Sequence, residues 1–183
     1  MDASQILDVV RPAVPGAVLE EAVSVDMPTV YVDREHLLEV CGVLRDDPRL
    51  QFALLVDVTA VDRLPNDPRF EMVYHLACVG TAFMTAGATT AAPASRLRLK
   101  VGLPGDDARV PSVTSVWPTA GWPEREVFDL FGIIFVDHPD LRRILMPDDW
   151  EGHPQRKDYP LGGIPVEYKG AEIPPPDQRR TYQ

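Results

Sequence analysis

The sequence lacks the residues that usually hold metals and the segments that cross membranes. Its two cysteines, Cys41 and Cys78, cannot supply the four thiolates usual for an iron–sulfur cluster, and no histidines stand near them at finger-like spacing. We expect both to be buried, reduced thiols, one on a helix and one on a strand. No apolar run approaches the roughly 18 residues that a membrane helix needs, and the N-terminus does not resemble a secretory signal. The sequence therefore predicts no metal, cofactor or membrane span in this chain.

Positive charge is also scarce. The chain has 18 Lys and Arg against 28 Asp and Glu, a formal net charge of -10. Nonspecific DNA binding and adhesion to an anionic bilayer both need clustered cations, so neither is expected. Glycine-rich nucleotide-binding motifs and the G-x-S-x-G nucleophile motif are absent from the sequence. Any attachment to a membrane is expected to come through protein partners.

Proline is abundant, and its distribution divides the chain. The 19 prolines among 183 residues are about twice the usual roughly 5%, and many of them lie in the last quarter. Proline fixes φ and lacks an N–H donor, so this part should run extended. We predict a globular domain over residues 1–136 and an extended C-terminal arm over residues 137–183 that wraps a partner subunit.

The hydrophobic pattern of the first half predicts an α+β fold. Helices are predicted at residues 4–11, capped by Ser4, and 33–45, capped by Asp33. The predicted strands are 17–25, 29–32, 52–63, 69–79 and 95–101. The last of them alternates apolar and basic residues, and residues 81–93 are expected to form a mobile hairpin end. The prediction is a two-layer fold with a mixed or antiparallel sheet and helices mainly on one face.

A second helix signal lies between Pro123 and Gly132. Pro123 suits the first helical position, and Gly132 suits a left-handed C-terminal stop. Arg125 and Asp129 are four residues apart and are expected to pair on the exposed side. The expected buried stripe comprises Val127, Leu130 and Phe131. Residues 111–117 suggest a short helix before it, and residues 133–135 a short strand after it.

Histidines and carboxylates after residue 137 could suggest a metal hydrolase. The candidate residues are His138, Asp140, Asp148, Asp149, Glu151, His153 and Asp158. They lie between prolines on predicted loops, whereas catalytic sites are best held on rigid elements. We interpret His138 and His153 as turn residues that hydrogen-bond nearby backbone. A free-standing metal hydrolase built on His138, Asp140 and His153 stays an alternative.

Cations and aromatic residues in the same region favour a protein interface. The cations are Arg142, Arg143, Arg156 and Lys157, and the aromatics are Trp122, Trp150 and Tyr159. Guanidinium groups bind carboxylates well, either on a partner or in the chain's own acidic loops. Arg and aromatic residues are enriched at binding hot spots. These residues alone establish a binding surface and no chemistry.

Several submotifs of this region occur in order with compatible spacing in a known family. They are Glu-Arg-Glu at 124–126, Asp-Leu-Phe-Gly-Ile at 129–133, His-Pro-Asp-Leu-Arg-Arg at 138–143, and Gly-His-Pro through Lys-Asp-Tyr-Pro-Leu at 152–161. The sequence resembles the 30 kDa subunit family of respiratory complex I, the proton-pumping NADH–quinone oxidoreductase, whose members are called C-type subunits. The resemblance is strong over residues 111–161 and faint before them.

The resemblance implies a non-catalytic structural subunit of the hydrophilic arm of the complex. It implies a position on the cytoplasmic side of the bacterial cell membrane, packed against the D-type subunit at the quinone site. The complex carries FMN, iron–sulfur clusters and quinone, whereas the family member itself binds no cofactor. The expected partner interface comprises Glu124, Arg125, Glu126, Asp129, His138, Asp140, Arg142, Arg143, Trp150, His153, Arg156, Lys157, Asp158 and Tyr159.

Two consequences of the resemblance can be stated in advance. The same module occurs in membrane-bound hydrogenases and other complex I relatives with a different electron donor, which is an alternative function. If Arg143 contacts a partner, Arg143→Ala should impair assembly more than it harms the fold of the isolated chain.

Overall fold

A computed structural model describes residues 1–17, 19–80 and 94–160, together with the backbone of two short strands further on. The helices are α1 (Ala3–Ala13), α2 (Leu37–Asp46) and α3 (Gly121–Phe131), and 3-10 turns at Arg34–His36 and Pro118–Ala120 lead into α2 and α3. The strands are β1 (Leu19–Ala22), β2 (Thr29–Val32), β3 (Leu54–Asp62), β4 (Phe70–Cys78), β5 (Ser95–Leu103), β6 (Arg109–Pro111), β7 (Ile134–Val136), β8 (Glu167–Tyr168) and β9 (Ala171–Glu172). The hairpin end expected at residues 81–93 lies outside the described residues.

The main sheet is mixed, as the sequence predicts. Its strand order is β1-β2-β5-β4-β3, and β2 and β5 run parallel while the other neighbours are antiparallel. The β4–β5 pairing places Phe70 opposite Leu103 and Cys78 opposite Ser95. The predicted run of three antiparallel strands, now β3, β4 and β5, is confirmed.

The core lies between this sheet and the helices. Alternate residues of β5 point into it, with Leu97, Leu99 and Val101 almost completely buried, because successive side chains of a strand face opposite sides. Both cysteines are buried, Cys41 on α2 and Cys78 on β4, as predicted. The α+β fold class is confirmed.

The ends of the first elements differ from the prediction. Asp2, not Ser4, caps α1, because its carboxylate accepts from the Gln5 amide while the Gln5 side chain accepts from the Asp2 amide. The helix continues past Arg11 to Ala13 with Pro12 inside it, and β1 is shorter than the predicted 17–25. Asp33 accepts from the His36 amide as expected, although the first turn that it caps is 3-10.

The short helix expected at residues 111–117 was a wrong prediction. Pro111 ends β6, which pairs in parallel with β7, and the Ser112 amide continues this ladder by donating to Val136. The Pro118–Ala120 turn leads directly into α3, so α3 begins at Gly121 and not at Pro123. Gly132 has φ 69° and ends the helix in the left-handed conformation, as predicted.

Residues 137–160 lead away from β7 and make their hydrogen bonds with α3 and with the β3–β4 end of the sheet. No helix within the described residues is long and apolar enough to cross a membrane. The division of the chain at residue 136 stays a prediction.

Candidate functional site

The first turn of α3 buries a carboxyl group without a neighbouring guanidinium or ammonium. Glu124 is 0% exposed; its Oε1 accepts from the Val113 amide at 2.8 Å, and its Oε2 lies 2.6 Å from the Ser112 hydroxyl. The Nε2 atom of His138 lies 3.9 Å from Oε2. Burial raises the pKa of Glu124 to about 7, although the two hydrogen bonds act in the opposite direction.

The last turns of α3 bury a second carboxyl group with abundant donors. Asp129 is also 0% exposed, and its Oδ2 accepts from three successive amides, those of Ile144, Leu145 and Met146, at 3.0, 2.7 and 2.9 Å. Its Oδ1 accepts from Arg143 at 2.8 Å. Burial alone would raise the pKa of Asp129, but these four donors outweigh burial and lower it.

This geometry corrects the expected surface pair between Arg125 and Asp129. Because Asp129 points inward, Arg125 turns toward the arm instead and donates to the carbonyls of Arg142 and Arg143 at 3.2 and 3.5 Å. Its guanidinium also lies 4.8 Å from the centre of the Trp122 ring. Of the predicted buried stripe, Val127 is buried, whereas Leu130 and Phe131 are half-buried.

The arm satisfies the carbonyl groups at the end of α3, which have no partner within the helix itself. The His153 ring donates from Nδ1 to the Asp129 carbonyl at 2.9 Å, and the Gln155 amide donates to the Leu130 carbonyl at 3.0 Å. Arg156 donates to the carbonyls of Phe131 and Gly132. A positive side chain is favourable here because the helix dipole is negative at this end. Residues 153–156 thus form a cap for α3.

A second anchor holds the arm to the end of the sheet. Asp62, at the end of β3, accepts from Arg69 at 2.9 Å and from the Lys157 amide at 2.9 Å. Arg69 also reaches Asp158 at 2.7 Å, and Lys157 donates from Nζ to the Leu64 carbonyl at 3.3 Å. Burial would raise the pKa of Asp62, but Arg69 and two backbone amides lower it to about 2. Neither Asp62 nor Arg69 was a sequence candidate, although they bracket the β3–β4 turn.

The two histidines bind backbone groups, as interpreted from the sequence. His138 Nε2 lies 3.1 Å from the Gly121 carbonyl, while its Nδ1 accepts from the Asp140 amide at 3.0 Å. His153 lies at the other end of α3, a helix of 11 residues that is about 16 Å long. The structure therefore does not bring His138 and His153 together. Across residues 1–17, 19–80 and 94–160, no group of three or more His, Cys, Asp or Glu could hold a metal ion.

The predicted interface residues divide into internal and exposed groups. Glu124 and Asp129 are fully buried, so their assignment to a contact surface was wrong. Arg143, His153 and Arg156 are half-buried and bond to α3. The exposed members are Glu126, Asp140, Arg142, Lys157 and Asp158.

Arg142 among these exposed residues bonds with Asp140 at 3.0 Å. The half-buried Tyr159 lies 3.4 Å from the Glu151 carbonyl, and the indole N–H of half-buried Trp150 has no partner among the described residues. All of these residues stay predicted contacts.

Exposed apolar side chains around α3 were given less weight in the sequence. Trp122 in its first turn is 67% exposed, and Leu145, held by Asp129, is 55% exposed. Ile134 and Val136 on β7 are 41% and 42% exposed, while Phe135 between them is buried. Leu145 could not be found by periodicity, because the bonds of Asp129 fix its position rather than a helix or strand pattern.

Fold and site together define a small α+β protein whose charged arm is folded onto its last helix. A family model described as the respiratory-chain NADH dehydrogenase 30 Kd subunit matches residues 30–165. The chain belongs to this family. The match begins well before residue 111, so it extends beyond the part in which the sequence motifs are strong.

Curated relatives and solved structures agree with this assignment. The chain is 56% identical over 167 residues to the C-type subunit of NADH-quinone oxidoreductase from Saccharopolyspora erythraea, covering 91% of this chain and 62% of the relative. It is 50% identical over 178 residues to the protein of the same name from Acidothermus cellulolyticus, covering 96% of this chain and 86% of that one. The chain therefore spans less than two thirds of the first relative.

Two solved structures share the fold. A trypsin-resistant fragment (1-134) of Nqo5 has a TM-score of 0.55 and 30% identity, and the match covers 77% of this chain and all of the fragment. A chain of the membrane-bound sulfane sulfur reductase, an archaeal respiratory membrane complex, has a TM-score of 0.64 and 24% identity. That match covers 86% of this chain and 85% of the other, and it supports the fold alone.

Proposed function

We propose that this chain is a non-catalytic structural subunit of a proton-pumping NADH–quinone oxidoreductase. It would support electron transfer from NADH to quinone by fixing its neighbours in the hydrophilic arm, on the cytoplasmic side of the bacterial cell membrane. The family match over residues 30–165 carries the proposal. The relatives named as the C-type subunit of that enzyme support it.

The site suggests how such a protein would work. Asp129, the cap at residues 153–156 and the Asp62 anchor hold residues 143–158 in one arrangement before any partner binds. A surface that is already ordered loses less conformational freedom on association, so its contacts contribute more to affinity. We therefore propose that the arm is preorganised to pack against the neighbour that forms the quinone site, the D-type subunit in this family.

The structure changes which residues should make the contact. Arg143 and Arg156 are engaged within the chain, whereas Trp122 and Leu145 are exposed beside them. Tryptophan is among the residues most enriched at hot spots. We infer that Trp122 and Leu145 contribute the apolar centre of the interface, and that exposed charges such as Glu126, Lys157 and Asp158 surround it.

A pull-down from bacterial membranes tests the proposal. A tagged full chain should co-purify with the other subunits, identified by mass spectrometry, and the purified complex should oxidise NADH with a quinone. Leu145→Asp should reduce the recovery of these subunits several-fold, because a charge would be buried in the contact. Val25→Asp is the matched control, since Val25 is an exposed aliphatic residue remote in sequence from the arm.

Two results would contradict the proposal. One is a chain that purifies alone in an active, self-sufficient form. The other is equal recovery of the partner subunits with Leu145→Asp and with wild type, which would remove this surface from the interface.

A further inference from the structure

A buried carboxyl group and two hydroxyl groups lie in a line at the junction of β6 and α3. Glu124 Oε2 lies 2.6 Å from the hydroxyl oxygen of Ser112, which in turn lies 2.8 Å from the hydroxyl oxygen of Thr114. Glu124 and Ser112 are buried, and Thr114 is half-buried. A continuous set of hydrogen bonds therefore joins the carboxyl group to the edge of the protein.

Every group around Glu124 is neutral in the arrangement that the structure shows. His138 accepts the Asp140 amide at Nδ1, so this nitrogen carries no proton, and the ring proton at Nε2 is directed to the Gly121 carbonyl. The Cys41 thiol on α2 and the Tyr74 phenol on β4 are fully buried, and burial raises the pKa of both groups. Among the described residues, no Lys or Arg pairs with Glu124.

The hydrogen bonds also suit a protonated carboxyl group. If Oε2 carries the proton, it donates to the Ser112 oxygen, and Ser112 donates to Thr114. The Thr114 amide still donates to the Ser112 oxygen at 3.2 Å, and Val113 still donates to Oε1. Each polar atom keeps a partner when the charge is removed, so the uncharged form avoids the cost of burying an unpaired charge.

We propose that the folded chain binds one proton at Glu124 near neutral pH, and that the hydroxyls of Ser112 and Thr114 pass it to and from solvent. When this proton leaves, a charge appears between the residue 112–114 loop, α3 and the His138 turn, and the packing of these three parts weakens. The stability of the β6–α3 junction consequently depends on pH. The same first turn of α3 carries the exposed Trp122, but the proposal does not depend on any partner.

The sign of the pH dependence follows from linkage. A carboxyl group whose folded pKa lies above its ordinary value binds more protons in the folded chain than in the unfolded chain. Its contribution to stability is complete at low pH and is lost as pH rises through the folded pKa. For Glu124 this window runs from about 4.5 to about 7. The unfolding constant should increase roughly a hundredfold across it relative to a chain that cannot titrate there.

Glutamate carboxyl resonances of the full chain test the proposal directly. In a 13C NMR titration, wild type should have one glutamate that titrates near neutral pH, and this signal should be missing in Glu124→Gln. It should persist in Glu126→Gln, the matched control, because Glu126 is two residues away and exposed. A wild-type spectrum in which every glutamate titrates below about pH 5 would overturn the proposal, and that result needs no variant to fold.

Chemical denaturation supplies a second, independent readout. Glutamine resembles the protonated acid in shape and can make the same bonds to Ser112 and Val113. Glu124→Gln should therefore match wild type near pH 4.5 and become more stable than wild type by pH 8. Equal pH dependence in the two proteins would contradict the proposed proton site.

The hydroxyl path has a test of its own. Ser112→Ala removes a donor that lowers the pKa of Glu124, so the neutral titration should move to higher pH, and proton exchange with solvent should slow. An unchanged titration and exchange rate in Ser112→Ala would eliminate the path.

Discussion

The two ends of α3 each bury a carboxyl group, and the chain treats them in opposite ways. Glu124 near the start accepts one amide and one hydroxyl, and its pKa is raised to about 7. Asp129 near the end accepts three amides and a guanidinium, and its pKa is lowered. Burial is the same for both, so the number and charge of the donors decide the ionisation state.

The difference separates two structural roles. At Asp129 a stable negative charge gathers the arm, because three amides in succession can converge only when residues 144–146 turn around one oxygen. At Glu124 a neutral group joins the β6–β7 layer to α3 without needing a cation. The arm should therefore depend on charge, whereas the start of α3 should depend on protonation.

Asp129→Asn should give the largest loss of stability. The amide cannot supply the charge that Arg143 and three N–H groups require, and breaking a buried ion pair typically costs about 3–5 kcal/mol. Urea denaturation at pH 7 should reveal this loss. Asp140→Asn is the control, because its pair with Arg142 is exposed and should change stability by roughly 0–1 kcal/mol. Equal losses in the two variants would remove the distinction between buried and surface carboxylates.

The same contact corrects the expectation for Arg143→Ala. Arg143 bonds to a fully buried carboxylate, so its loss should destabilise the fold of the chain itself and not only its assembly. A variant of normal stability that failed only in assembly would restore the original expectation.

Periodicity and turn chemistry predicted most of the sheet, α2 and the end of α3. Strand β2 matches residue for residue, and Gly132 ends α3 as expected, because alternation and a glycine stop are local signals. Local spacing failed where a distant group decides the outcome. The spacing of Arg125 and Asp129 predicts a surface pair, but Asp129 is taken by amides 15 to 17 residues away.

The candidate site was predicted in its location and not in its contacts. The motifs correctly drew attention to residues 124–158, since most of the bonds that hold the arm arise there. The direction of those bonds could not be derived, because a guanidinium meets a partner's carboxylate and its own chain's carbonyl with the same chemistry. Arg156 illustrates this, since it caps the Phe131 and Gly132 carbonyls.

Gly132→Ala should have the next largest effect, at the charged end of α3. Its φ of 69° is strained for alanine, and the new Cβ would overlap His153 and Arg156. We expect a loss of about 2–3 kcal/mol in urea denaturation, because the strain adds to displacement of the cap. Gly42→Ala, inside α2 with nothing within 4 Å of the new Cβ, should instead stabilise the chain by roughly 0.5–1 kcal/mol. Similar losses at both positions would remove the special role of Gly132.

Acid should weaken the arm through its second anchor. The pKa of Asp62 is about 2 in the folded chain, below the ordinary 3.8, so its contribution is present above pH 4 and is lost as pH falls toward 2. The expected loss is about 2 kcal/mol, and Asp62→Asn should abolish this part of the acid dependence. An unchanged acid limb in Asp62→Asn would assign the effect to other carboxylates.

Trp122→Ala should have the smallest effect on stability and a clear effect on assembly. The indole is 67% exposed and packs only against Arg125, so we expect a change within about 0.5 kcal/mol in urea denaturation. Val136→Ala on β7 is a control for losing an exposed apolar side chain. If Trp122 is a hot spot, its variant alone should lower the recovery of partner subunits. A large loss of stability in Trp122→Ala would instead mean that the start of α3 depends on this side chain, and its exposure would then have no bearing on a partner.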